Sequence, residues 1–235
     1  MNNRLPKRIG LIGGLSPEST LYYYSYICRE FNKRCGELHF PEIAIQRLNL
    51  QRLMEMCEVN DWEGVASVLL DALHSLKDAG AEFAAILTNT PHNAYDRIRE
   101  ESPLDIITIM DATCDALIRD GRQQVALIGT RATMERGLFQ SHFRSEGLDT
   151  LTPDQERGKE LDHIIWEELA HGKIKSESRV TVMTIIHELV DRGAEAVVLG
   201  CTELSILITH QYSPIPLYDT TTLHAKSILK YAMHE

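Results

Sequence analysis

Residues 68–90 of this chain repeat at 181–203, an offset of 113. His74 aligns with His187, Leu76 with Leu189 and Asp78 with Asp191. Gly80-Ala81-Glu82 aligns with Gly193-Ala194-Glu195. Four apolar pairs follow, ending in Ile86 and Leu199, and Thr88 then falls on Cys201. Two further blocks repeat in the same order. Gly10-Leu11-Ile12-Gly13-Gly14 resembles Ala126-Leu127-Ile128-Gly129-Thr130 at an offset of 116. Ile109-Met110-Asp111-Ala112-Thr113 resembles Leu217-Tyr218-Asp219-Thr220-Thr221 at 108. Any two βαβ units share apolar strands, but that does not account for a shared His, Asp and Gly-Ala-Glu. The repeat therefore restricts the chain to two similar halves.

Each half reads as α/β. Strands are expected at Lys7–Ile12, Glu42–Leu48, Glu82–Leu87, Asp105–Met110, Gln123–Ile128 and Ala196–Leu199. Helices are expected at Pro17–Lys33, Trp62–Lys77, Gln155–Ala170, Arg179–Asp191 and Thr221–Met233. Ser16 before Pro17 and Glu18 is a helix-start pattern, and Gly80 and Gly193 are helix stops. Strands alternating with helices of this length make parallel sheets. The expected architecture is two pseudo-symmetric lobes, each a parallel-sheet sandwich. Residues 1–105 plus 216–235 form one lobe and 106–215 the other. In such sheets ligands bind beyond the carboxyl ends of the strands, so the expected site is a cleft between the lobes.

Composition narrows the partners. Lys plus Arg is 24 against 34 Asp plus Glu, a formal charge of −10. That sign disfavours nucleic acid, while a few local cations can still hold an acidic small molecule. No apolar run approaches the ~18 residues of a membrane span, and the polar Met1–Arg8 stretch does not read as a signal peptide. The five cysteines (28, 35, 57, 114 and 201) are odd in number and lack zinc spacing. They read as free thiols in a reducing cytoplasm. Cys28, Cys57 and Cys114 read as core residues.

The residues at the strand ends carry the chemistry. Gly13-Gly14-Leu15-Ser16, Thr88-Asn89-Thr90, Gly129-Thr130 and Gly200-Cys201-Thr202-Glu203 bring hydroxyls and backbone N–H groups, which suit carboxylates or phosphates. The first glycine turn lacks both a dinucleotide fingerprint and a Walker lysine, which argues against a nucleotide. Ser16, Thr20, Thr90 and Thr202 could cradle a small carboxylate, although any one of them taken singly is as readily a helix cap. Cys201, after an apolar strand and before a helix, is a candidate thiolate, since a helix N-terminus lowers a thiol's pKa. His92 and His187 are candidates to tune the two walls. Arg47, at the end of a strand, could pair a carboxylate bidentately.

These residues resemble the aspartate/glutamate racemase family. Gly10 to Thr20 with Tyr22-Tyr23 is similar to its opening signature. Thr88-Asn89-Thr90-Pro91-His92 resembles its first catalytic motif, Cys-Asn-Thr-x-His, and Gly200-Cys201-Thr202-Glu203-Leu204 resembles its second. The resemblance covers nearly the whole chain. It implies an isomerase that needs neither pyridoxal phosphate nor metal, in which two opposed residues exchange the α-proton of an acidic amino acid. It also points to a homodimer. One departure stands out: Thr88 replaces the family's first cysteine. A hydroxyl is a far poorer source of base than a thiol, and threonine-bearing members resemble racemases that prefer L-amino acids. On that analogy Cys201 is the base for one enantiomer and Thr88 the weaker acid on the other face. Ser16, Thr90 and Thr202, with Asn89, Thr130 and Glu203, would surround the α-carboxylate and amino group. Arg47, with Lys159 or Arg131 as further candidates, would hold the side-chain carboxylate. The rival readings are a hydantoin racemase, maleate isomerase or malonate decarboxylase on the same scaffold, or a non-catalytic binder of acidic amino acids.

Overall fold

The computed structural model describes residues 5–14 and 16–235. Leu15 of the first glycine turn and residues 1–4 of the polar N-terminal stretch lie outside the described residues. The chain forms two compact units. One is built on the chain up to Ile109 together with His224–Glu235, the other on Met110–Leu223.

The first unit runs β1 (Ile9–Gly13), α1 (Pro17–Cys35), β2 (Ile43–Arg47), α2 (Leu50–Glu58) and α3 (Trp62–Asp78). It continues with β3 (Phe83–Ile86), a 3-10 turn (Thr90–Ala94), α4 (Tyr95–Glu101) and β4 (Asp105–Ile107). Its four strands are parallel, in the order β2-β1-β3-β4. Alternation along the strands builds two cores. Ile9, Leu11, Phe83 and Ala85 face α1, whose Tyr23, Ile27 and Phe31 recur at four-residue spacing. Ile12, Ala84 and Ile86 face α3 through Val65, Leu69, Leu73 and Leu76.

The second unit runs α5 (Ile109–Arg119), β5 (Gln124–Ile128), α6 (Arg131–Glu135), α7 (Leu138–Ser145), β6 (Asp149–Leu151) and α8 (Gln155–His163). After a π-helical turn (Ile164–Glu168) and a 3-10 turn (Leu169–His171) come α9 (Ser176–Asp191), β7 (Ala196–Leu199), α10 (Leu204–Leu207) and β8 (Leu217–Asp219). The strand order β6-β5-β7-β8, all parallel, repeats the topology of the first unit. The last helix, α11 (Thr220–Ala232), leaves β8 and packs Ala225, Ile228 and Leu229 on the first sheet. His224 helps fix it there. Its Nε2 lies 2.8 Å from the Ile107 carbonyl, which can only accept, so in the neutral ring Nδ1 accepts from the Tyr23 hydroxyl at 2.9 Å.

The sequence repeat is a repeat of strand register. Ile9 pairs with Phe83 as Val125 pairs with Ala196, which reproduces the offsets of 116 and 113. The third block does not keep its offset. Ala84 faces Ile106 as Val197 faces Leu217, which gives 111 rather than 108. The Gly-Ala-Glu signature is structural. Gly80 and Gly193 have φ of 87° and 99°, a region L side chains avoid, and turn the chain out of α3 and α9. Ala81 and Ala194 are buried behind them. Glu82 and Glu195 accept the backbone N–H of Arg8 and Gln123, each at 2.8 Å, and so fasten the strand that lies alongside.

Several boundaries differ from expectation. The 105–110 strand stops at Ile107, because buried Thr108 leads directly into α5. The helix expected over 155–170 is three pieces. Glu168 closes its π turn by accepting from Lys175 Nζ at 2.9 Å and from the Ser178 hydroxyl. Residues 216–219 belong with the second sheet, since β8 pairs with β7.

One ion pair makes the second unit's stability depend on pH. His142 on α7 lies 3.0 Å from Asp111 on α5. The hydrogen bond to Asp111 raises the His142 pKa above its ordinary value, against partial burial, and Asp111, Glu146 and Asp115 add their charge. The stabilisation is fully present below the unfolded value of ~6.5 and is lost as pH rises through the higher folded value. His142→Ala is therefore expected to lower the thermal midpoint roughly 2–4 °C more at pH 5.5 than at pH 9, for about 1 kcal/mol. Equal losses at both pH values would show that the pair contributes nothing.

Candidate functional site

Because every strand is parallel, each unit gathers its loop residues at one edge of its own sheet. In the first unit Gly13, Arg47 and the segment after Ile86 stand at adjacent strand ends. Thr88 is half-buried two residues beyond β3, and its N–H donates to Ile86 O at 2.9 Å. His92 Nδ1–H donates to the Thr88 carbonyl at 2.7 Å and so holds the turn from beneath. Asn89 is buried where the 3-10 turn begins, and Thr90 is half-buried as the turn's first residue. Arg47 is exposed and makes no ion pair among the described residues. Its stem crosses Gly14, where an added Cβ would come 2.5 Å from Arg47 Cγ.

The hydroxyls divide by use. The Ser16 oxygen caps α1, accepting from Ser19 N–H at 3.1 Å. Thr20 Oγ1 accepts from Gly14 N–H at 2.8 Å and donates to Ser16 O at 3.0 Å, which locks the glycine turn. Thr130 caps α6, accepting from Thr133 N–H at 3.3 Å. Ser16, Thr20 and Thr130 thus have structural partners of their own.

In the second unit Gly129 and Gly200 end neighbouring strands, and their backbones approach so closely that a Cβ on Gly129 would sit 3.0 Å from Gly200 O. The next residue, Cys201, is buried. Its Sγ–H donates to Glu203 Oε2 at 2.9 Å, and Thr202 Oγ1–H donates to the same oxygen at 2.6 Å. The expected acidic thiol is not what the structure shows. Burial pushes the Cys201 thiol well above the usual thiol range. The negative charges of Glu203 and, less strongly, Asp162 push the same way. The helix that follows, α10, is a single turn, too short to offset the loss of water. Burial raises Cys114 too, to about 11.

Helix α8 carries two cations that differ in their ion pairing. Arg157 is engaged by Glu188, at 2.7 Å from Nη2, and by Glu160 at 2.8 Å. Lys159 is exposed and makes no ion pair among the described residues. Arg131 pairs with Glu135 at 3.9 Å. His187 is exposed on α9, within an ordinary helix rather than at a strand end, so it does not tune the site as expected. Sequence reasoning missed Asp162. Its carboxylate accepts Arg131 N–H at 2.8 Å, and its charge bears on Cys201. The i, i+3 spacing from Lys159 was the available signal. Among the described residues no group of three or more His, Cys, Asp or Glu side chains could hold a metal ion, and no helix is long and apolar enough to cross a membrane.

Comparison with known proteins places this geometry. An Asp/Glu racemase candidate from Yersinia pestis is 35% identical, covering 97% of this chain and 99% of its own, with a TM-score of 0.92. An aspartate racemase homologue from Pyrococcus horikoshii OT3 is 33% identical over 97% of this chain and 99% of its own, with a TM-score of 0.85. The broad specificity amino-acid racemase RacX of Bacillus subtilis (strain 168) is 20% identical over 229 residues, 93% of this chain and 95% of its own. The profile described as Asp/Glu/Hydantoin racemase matches residues 12–228. With the register repeat and the two motif turns, these similarities establish that the chain belongs to the Asp/Glu/hydantoin racemase family, enzymes of the isomerase class.

Proposed function

We propose that the chain is a cofactor-independent amino-acid racemase acting on aspartate and, with one methylene more, on glutamate. The observation that carries this reading is register. Ile12 pairs with Ile86 as Ile128 pairs with Leu199, so Thr88 and Cys201 occupy the same position of their respective sheets. Such a repeat supplies one proton-transfer group from each half, as inversion at a carbon requires. Cys201 removes the α-proton of the L-enantiomer, leaving the electron pair on the α-carbon, and Thr88 delivers a proton to the opposite face. Thr90, Asn89 and Thr202 bind the α-carboxylate and amino group, with Ser16 and Thr130 adding backbone structure around them. Arg47 and Lys159, neither of which makes an ion pair among the described residues, bind the side-chain carboxylate. An apolar contact worth ~1–3 kcal/mol per methylene separates aspartate from glutamate only weakly. The enzyme works in the cytoplasm as a homodimer.

The assignment of Thr88 is tested by giving it back a thiol. Thr88→Cys should raise α-proton exchange of D-aspartate, where position 88 is the base, several-fold more than exchange of L-aspartate. Initial exchange rates in D2O, followed by NMR, give the ratio. An unchanged D-to-L ratio removes Thr88 from the mechanism. Wild-type protein that binds aspartate without exchanging its α-proton would instead be the non-catalytic binder.

A further inference from the structure

We propose that Ser19, in the first turn of α1, is a positioning residue for Thr88, the proton-transfer group assigned to the first unit. The proposal deepens that assignment and rests on it. The buried residues of α1 are Ser19, Tyr23, Ile27 and Phe31, at four-residue spacing. Three of them are large side chains of the core, while Ser19 is small, polar and only 4% exposed. What a serine brings to that stripe is a donor. Its hydroxyl donates to the Leu87 carbonyl at 3.0 Å, one residue before Thr88. The opening Ser-Pro-Glu-Ser run prepares the contact. Ser16 Oγ accepts the Ser19 N–H at 3.1 Å, and Pro17 has no N–H to satisfy, so the helix start is fixed where Ser19 meets Leu87.

Leu87 O and the Thr88 N–H belong to one peptide plane, and Thr88 O belongs to the next. Each plane is held. Ser19 donates to Leu87 O, and the Thr88 N–H donates to Ile86 O at 2.9 Å. On the far side His92 Nδ1–H donates to Thr88 O at 2.7 Å. Fixing the planes on both sides fixes the two soft torsions of Thr88, and with them the direction of its Cα–Cβ bond. A β-branched side chain then has few χ1 choices left. The aim of the hydroxyl has to come from the backbone, because the hydroxyl itself makes no hydrogen bond among the described residues. That aim matters, since a misplacement of about 1 Å can cost about 10²-fold in rate.

The test has one part without substrate and one with it, both on the intact protein. Three-bond NMR couplings from the Thr88 γ-methyl carbon to the backbone nitrogen and carbonyl carbon report χ1 in wild type, Ser19→Ala and Gly36→Ala. Wild type should give the values of a single rotamer, and Ser19→Ala values averaged over more than one. Gly36→Ala disturbs the other end of α1, where a new Cβ meets nothing within 4 Å, and should match wild type. With L-aspartate in D2O, Cys201 takes the α-proton, the electron pair stays on the α-carbon, and two fates follow. A deuteron from sulfur returns L-aspartate carrying α-deuterium. A deuteron from the Thr88 hydroxyl, replaced from solvent, gives D-aspartate. The early ratio of the first product to the second does not depend on how much enzyme is folded. Ser19→Ala should raise it roughly three- to tenfold, and Ser19→Thr, which keeps the hydroxyl, should bring it back toward wild type. In Ser19→Ala the kcat for inversion should fall while KM changes by no more than about twofold. Either readout unchanged in Ser19→Ala, or a product ratio raised as much in Gly36→Ala, would overturn the proposal. Wild type that neither exchanges nor inverts aspartate would sink the racemase reading instead, and the couplings would still decide whether Ser19 aims Thr88.

Discussion

Cys201→Ser is expected to lower α-proton exchange of L-aspartate by at least about 10³-fold while leaving the fold intact. A serine hydroxyl keeps the donor to Glu203 Oε2 at nearly the same place, so the turn after β7 stays closed. What is lost is the acidity of sulfur. Even a thiol pushed up by burial is a far better proton-transfer group than an alcohol, whose pKa lies well above the range an adjacent carboxylate can reach. Thermal denaturation should therefore report a change within about 1 kcal/mol. Exchange within tenfold of wild type would take Cys201 out of the mechanism.

Gly14→Ala is expected to be the most destabilising of the conservative changes near the first glycine turn, at roughly 3 kcal/mol. Two costs combine. The position has φ of 81°, which a side chain resists by roughly 1–2 kcal/mol. A Cβ there would also lie 2.6 Å from Leu48 O and 2.5 Å from Arg47 Cγ, so backbone must move as well as side chain. Gly36→Ala is the matched comparison. Its φ is 75° with nothing within 4 Å of the new Cβ, so it should cost only the conformational part, about 1 kcal/mol. Chemical denaturation of both variants separates the steric cost from the conformational one. Equal losses would mean that Arg47 and Leu48 give way freely.

Much of the fold was legible because its signals are local. The Ser16-Pro17-Glu18 start placed α1, and the unbroken apolar run placed β7 at Ala196–Leu199. The offset of 113 anticipated a repeated register that side-chain periodicity alone would not reveal. The short elements were not legible. Strands β6 and β8 are three residues each, held by their neighbours rather than by a pattern of their own. Helix α2 is capped by Asn49, whose side chain accepts from Arg52 N–H at 3.1 Å, a cap that the preceding strand masked. The π turn at Ile164 depends on Glu168 meeting Lys175 and Ser178, contacts that arise only once α9 is in place.

The candidate site was legible as residue types and less so as roles. A threonine at a strand end looks the same whether it caps a helix, as Thr130 does, or orients a carboxylate, as Thr202 does. Reading Cys201 as acidic assumed a helix long enough to present its N-terminus. The chain supplies only one turn, which burial outweighs, and a carboxylate that pushes the thiol further in the same direction as burial. Gly-Ala-Glu, the most conspicuous part of the repeat, fastens strands and takes no part in the chemistry proposed for the strand ends.

The proposed reaction inverts an α-carbon with one proton-transfer group from each half of a repeated fold. It is tested most directly by incubating the wild-type protein with L-aspartate and, separately, with D-aspartate in D2O, without pyridoxal phosphate and with a metal chelator present. Enantiomer composition and α-deuterium content are followed together. Both incubations should converge on the same equal mixture, with a deuteron at the α-carbon of every inverted molecule. Persistence of either enantiomer unchanged, or inversion without deuterium at the α-carbon, would rule that reaction out.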